Sequence, residues 1–134
     1  MIDKIIARIA ALVLVIFLLL AVFYQRPDNS KRAPYLPAKD FVPDASTGEQ
    51  LFSVNCIQCH GKRLEGGANG PPLIHAYYHP DHHADLTFYL AVYQGVHQHH
   101  WQFGNMPAMK QLTPDDAGHI LRFIRQKQQE AGLF

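Results

Sequence analysis

The spacing of apolar positions divides the chain into three stretches. From Ile5 to Tyr24 (IIARIAALVLVIFLLLAVFY) only Arg8 is charged. At about 1.5 Å per helical residue such a run spans roughly the 30 Å hydrocarbon core of a bilayer. Residues 1–24 are therefore expected to form a single transmembrane helix that anchors the protein. A cleaved signal peptide is the competing reading, since Lys4 and Arg8 suit its basic region. Against it, the run is long and closes on bulky Val22, Phe23 and Tyr24 with no small-X-small cleavage site. Residues 25–45 carry Pro27, Pro34, Pro37 and Pro43 among polar neighbours, which reads as an extended, semi-rigid linker. Residues 46–134 remain for one small domain.

Within that domain the apolar positions recur at helical spacing, and nothing reads as a strand of useful length. Ser46, with Glu49 three residues on, predicts a capping box, followed by Leu51, Phe52 and Val54 in a short helix that delivers Cys56. Gly61, Gly66 and Gly67 end it. A second helix is predicted over 85–94, with Asp85 at its start, Leu86, Tyr89, Leu90 and Tyr93 as its stripe and Gly95 as its exit. The last helix has Thr113 as its cap and Pro114 at its first position, with Asp115 and Asp116 at the positive end of the dipole. Ala117, Ile120, Leu121 and Ile124 form its apolar stripe, and Arg125 and Lys127 suit its far end.

Composition narrows the class. The net charge is +1 and the basic residues form no patch, which argues against a nucleic-acid partner. A domain of this size buries a modest fraction of its surface and gains from a bulky buried group. The 48% hydrophobic content is inflated by the first segment.

Both cysteines of the chain lie in one pentapeptide, Cys56-Ile57-Gln58-Cys59-His60. Cys-X-X-Cys-His is the attachment signature of a c-type haem. Two thiols on one helical turn each add to a haem vinyl group, and the adjacent His60 binds the iron. A thioredoxin-like motif would follow a strand, and no β-branched run precedes Cys56. A structural zinc site would want a second Cys pair, which is absent, although the histidines downstream offer nitrogen ligands. A plain pair of thiols beside an accidental histidine is the remaining alternative.

With these residues together, 46–134 resembles the class I c-type cytochromes, an all-α helical fold around one covalent haem c. Gly48 and Phe52, eight and four positions before Cys56, match the family's N-terminal helix. There the resemblance implies a close crossing with the C-terminal helix against Phe123 or Ile120. Gly70-Pro71-Pro72-Leu73 looks like the loop whose proline carbonyl accepts a hydrogen bond from the ligating histidine, with Pro71 and Pro72 both candidates. Such a bond orients the ring and strengthens it as a ligand. Met106-Pro107 matches the family's step before the final helix and makes Met106 the candidate sixth ligand, with Met109 as a competitor. A thioether ligand raises the potential, as suits an electron carrier.

The histidines depart from a plain small cytochrome. Besides His60 the chain has His75, His79, His82, His83, His97, His99, His100 and His119. Their density suits a second metal site, while singly placed surface rings are the bland alternative. Trp101 beside them is expected to donate its indole N–H to a haem propionate or to pack on the ring edge.

The resemblance implies one-electron transfer rather than enzymatic catalysis, with redox proteins as partners (a membrane oxidase, dehydrogenase or reaction centre) and no small-molecule substrate. A haem enzyme or gas-binding module with an open sixth position is the second hypothesis. Counting charges beside the first segment, Arg26, Lys31, Arg32 and Lys39 against Lys4 and Arg8, would place the domain inside the cell. The c-type resemblance implies that the haem thioethers are made on the outer side of the bacterial membrane or in an equivalent compartment. The expectation is therefore a single-pass protein of the cytoplasmic membrane with its haem domain in the periplasm.

Overall fold

The computed structural model describes residues 2–24 and 33–134. Residues 25–32 of the linker expected over 25–45, including Pro27 and the cations Arg26, Lys31 and Arg32, lie outside the described residues. The chain divides into two compact units, residues 1–32 and 33–134. In the first, helix α1 runs over Ile2–Tyr24, 23 residues. Its apolar side chains are exposed, Phe17 by 67% and Leu19 by 66%. Among the described residues no helix is long and apolar enough to cross a membrane.

The second unit is helical throughout: α2 over Ala45–Asn55, α3 over Ile57–His60, α4 over Asp85–Gln94 and α5 over Pro114–Glu130, with a 3₁₀ turn at Ala76–Tyr78. Two isolated bridges, Gly67 with Gly70 and Val96 with Met106, are its β-type pairings among the described residues. Helix α2 begins earlier than the Ser46 box suggested. Asp44 is its N-cap and accepts from the Thr47 N–H at 2.7 Å, so Ser46 already lies in the first turn. Helix α5 has the expected cap: Thr113 and Asp116 form a reciprocal box, with Pro114 inside it.

α2 crosses α5 at close range. A methyl on Gly48 would lie 2.0 Å from the His119 carbonyl oxygen and 2.9 Å from Phe123 Cβ. Only a glycine allows that approach. The crossing seats Phe52 against Phe123, with ring centroids 5.5 Å apart. Leu64, Ile120 and Ile124 complete the buried cluster. Each such side chain contributes about 1.5–3 kcal/mol by leaving water. All four residues of the α5 stripe are buried, and Phe123 joins them. On α4 the expected stripe is out of phase. Val92 is the buried residue, while Leu86 and Tyr93 are 47% and 50% exposed. Apolar residues surround this helix on all sides, so its sequence does not fix which face turns inward.

The part of the expected linker that is described is not a free tether. Residues 33–44 pack along α5 and α4. The Ala38 N–H donates to Asp115 Oδ1 at 3.0 Å, and the Asp44 N–H to His119 Nδ1 at 2.9 Å. Phe41 lies edge-on to the His119 ring at 4.8 Å, and Tyr35 meets Tyr93 at 5.8 Å. The aromatic residues among the prolines make the difference, because they give this stretch apolar area to bury.

Candidate functional site

Cys56 closes α2 and opens α3. Its N–H bonds the Phe52 carbonyl at 2.8 Å, and its own carbonyl accepts from Cys59 at 3.1 Å and His60 at 2.9 Å. The motif is thereby wound into one turn, ended by Gly61 at φ +77°. Both cysteines are free and half-buried. Burial first, and then neighbouring Cys59, pushes the Cys56 thiol up to about 11. A thiolate is disfavoured there, whereas an uncharged thioether loses little by the same burial.

The His60 ring is held from behind. Its Nδ1 lies 2.9 Å from the Pro71 carbonyl oxygen. A carbonyl only accepts, so Nδ1 carries the proton and Nε2 keeps its lone pair. Burial lowers the His60 pKa, opposed by the Pro71 carbonyl, and the neutral ring is the form that binds metal. Of the two candidate prolines, Pro71 makes this contact. The loop that presents it is pressed against the motif: a methyl on Gly70 would lie 2.8 Å from the Cys59 carbonyl oxygen. Behind Pro72 stands Gly66 at φ +82°, where a methyl would come within 2.6 Å of Pro72 N.

Met106 belongs to a different segment. Its backbone pairs with Val96 through two hydrogen bonds, 2.9 and 3.0 Å, which close the neck of the 96–106 loop. Gly95 is required beside it, at φ +80° and with the Met106 carbonyl oxygen 2.5 Å from where a methyl would stand. Met109 is tied instead to α4, its N–H donating to the Val92 carbonyl at 2.8 Å. Both methionines are half-buried. Trp101, within the closed loop, has a buried indole Nε1 with no hydrogen-bond partner among the described residues. It lies near enough to the Tyr78 hydroxyl to ease that group's ionisation slightly, against the stronger effect of burial.

A family model, Cytochrome c, matches residues 45–128. The chain belongs to the cytochrome c family. Among characterised proteins and among solved structures, nothing matches this chain. The cytochrome carries covalent haem c, and Cys56 and Cys59 stand with His60 in a Cys-X-X-Cys-His arrangement. The local structure fits that group. The two sulfurs share one turn, His60 offers an unprotonated Nε2, and the unpartnered indole N–H of Trp101 is a donor awaiting an acceptor such as a propionate.

The remaining histidines have separate fates. His119 serves the fold, under Phe41 and Asp44. His79 meets Asp81 and the ring of Phe134. His75 accepts from the Tyr77 N–H at 3.2 Å and packs edge-on to Trp101 at 4.9 Å. His82, His83 and His100 converge, with one nitrogen from each within 4.8 Å of the others.

Two residues of structural weight escaped the sequence reading. Arg125, suited to the end of α5 by its charge, instead points into the fold. It donates to the carbonyls of Tyr78 at 2.7 Å and His83 at 2.6 Å, to Asp85 at 2.9 Å and to Gln128 at 2.8 Å. Gln128, 1% exposed, donates to the Leu73 carbonyl at 2.7 Å. The available signal was Gln128's place four residues after Ile124, on the buried stripe.

Proposed function

We propose that this cytochrome is a membrane-anchored one-electron carrier with His60 and Met106 as its axial ligands. When bound, the haem supplies a ferric/ferrous couple. The chain's part is to hold that couple rigidly and keep both axial positions filled. The carrying observation is the His60 Nδ1 contact with the Pro71 carbonyl at 2.9 Å, which fixes the ring's rotation and aims Nε2 away from its own loop. The paired Val96–Met106 backbone supports Met106 as the opposite ligand, because it gives that residue a fixed position on a segment otherwise free of regular structure. A thioether there favours the ferrous state and raises the potential.

The apolar, exposed face of α1 supports anchoring: left in water, side chains such as Phe17 and Leu19 would be an unsatisfied hydrophobic surface. Anchoring in the cytoplasmic membrane with the domain in the periplasm suits the thioether chemistry. It also confines the carrier near membrane oxidases, dehydrogenases or reaction centres, raising the effective concentration of its partners. Potentiometric titration of the purified holo-protein, followed by carbon monoxide exposure of the ferrous form, tests the carrier reading. One reversible one-electron wave and no carbon monoxide complex are expected. A carbon monoxide complex formed by the unmodified protein would favour the open-site alternative.

A further inference from the structure

We propose that His82, His83 and His100 form a second metal site, distinct from the haem, that takes one zinc ion. His82 Nε2 and His100 Nε2 are 3.3 Å apart. Two nitrogens bound to one zinc at about 2.0–2.1 Å and the tetrahedral angle stand about 3.3–3.4 Å apart. For two imidazoles sharing only a proton, that separation lies beyond the usual hydrogen-bond range of about 2.7–3.2 Å. The third nitrogen is within 4.8 Å of the others, so side-chain rotation of about 1.5 Å closes the tetrahedral set.

The ring of His83 already has the support that metal-bound histidines show. Its Nδ1 faces the Tyr77 carbonyl oxygen at short range. That oxygen can only accept, so the proton is on Nδ1 and the lone pair on Nε2. The two segments that bring the rings together are each braced independently. Arg125 grips the carbonyls of Tyr78 and His83 on one side. On the other, the Val96–Met106 pair closes the loop carrying His100, and the Gln98 N–H to Asn105 bond at 3.0 Å stiffens it. Tyr77 stacks on His100 at 4.4 Å and limits that ring's rotation. The charge of Arg125, which would oppose a dication, is matched by Asp85 at 2.9 Å. Three imidazoles and no carboxylate suit zinc, with one coordination position left for water.

Zinc is the discriminating probe, because copper(II) binds almost any group of imidazoles more tightly. The haem-loaded protein is titrated with zinc against a chromophoric chelator, and bound zinc is counted against haem iron after gel filtration. The expected result is one zinc per iron, with affinity falling at least about tenfold in His82→Ala and in His100→Ala and unchanged in His97→Ala. The haem spectrum of each variant reports that the domain has folded. Failure to retain stoichiometric zinc, several weak equivalent sites, or an equal loss in His97→Ala would overturn the assignment.

Discussion

Replacing Gly48 by alanine sets two known effects against each other. Alanine in a helix interior is favoured over glycine by about 1 kcal/mol. At Gly48, however, the new methyl would stand 2.0 Å from the His119 carbonyl oxygen and 2.5 Å from its carbon. The obstacle is backbone of α5, so no side-chain rotation relieves it. An ordinary carbon–oxygen contact needs about 3.3 Å, and the helices must part by roughly 1 Å. Overpacking of this kind costs up to about 3 kcal/mol, leaving a net loss of about 2 kcal/mol. For a unit of this size, at ~4–8 °C per kcal/mol, that lowers Tm by about 8–16 °C. Gly118 is the control. There the methyl would meet the far edge of the Phe41 ring at 2.5 Å, a side chain on a loop that can yield. Helical circular dichroism followed through thermal unfolding of the haem-loaded protein compares the two. A Gly48→Ala protein as stable as its parent, or no worse than Gly118→Ala, would refute the close-crossing argument.

Arg125→Leu leaves the Tyr78 and His83 carbonyls without their donor and is expected to cost about 1–3 kcal/mol for each that stays unsatisfied, measured by denaturant unfolding. Unchanged stability would mean that water replaces the guanidinium without loss. Hydrogen bonds from the Thr47 hydroxyl and N–H hold Asp44 below its ordinary 3.8. A depressed carboxyl pKa stabilises the fold above the unfolded value, and the effect is lost as pH falls through the folded one. The stability gap between the parent and Asp44→Ala should therefore be full at neutral pH and shrink below pH 3.8; a gap constant through that range contradicts the charged cap. Trp101→Phe keeps the ring packing and removes only the indole N–H. If that N–H meets a propionate, the uncompensated negative charge lowers the haem potential, and a potential equal to the parent's assigns Trp101 to packing alone.

How far the sequence carried the account depended on how local each signal was. The pentapeptide at Cys56, the Thr113 cap and the bounds of α4 each depend on a few adjacent residues, and the structure places all three where their residues imply. The family resemblance carried by Gly48 and Phe52 implied a helix crossing against Phe123 or Ile120, and Phe123 is found there. What was not legible depends on distant chain. The choice of Pro71 over Pro72 is made by the fold of the 61–73 loop. The phase of α4 is set by its neighbours, because its own residues are apolar all round. Residues 33–44 read as linker by their prolines, yet Tyr35 and Phe41 find rings to pack against fifty-eight and seventy-eight residues away. Arg125 read as a dipole charge because three of its four acceptors, on Tyr78, His83 and Asp85, lie on segments that only tertiary structure brings to α5.

In the proposed carrier the chain itself supplies both iron ligands, His60 and Met106. The optical spectrum of the oxidised holo-protein, recorded beside that of Met106→Ala, tests it most directly. Methionine-sulfur ligation gives a weak long-wavelength band in the ferric form. With Met106 bound to the iron, that band is expected in the parent and lost in the variant, with the haem still attached through Cys56 and Cys59. A parent spectrum lacking the band, or a variant that retains it, contradicts the assignment.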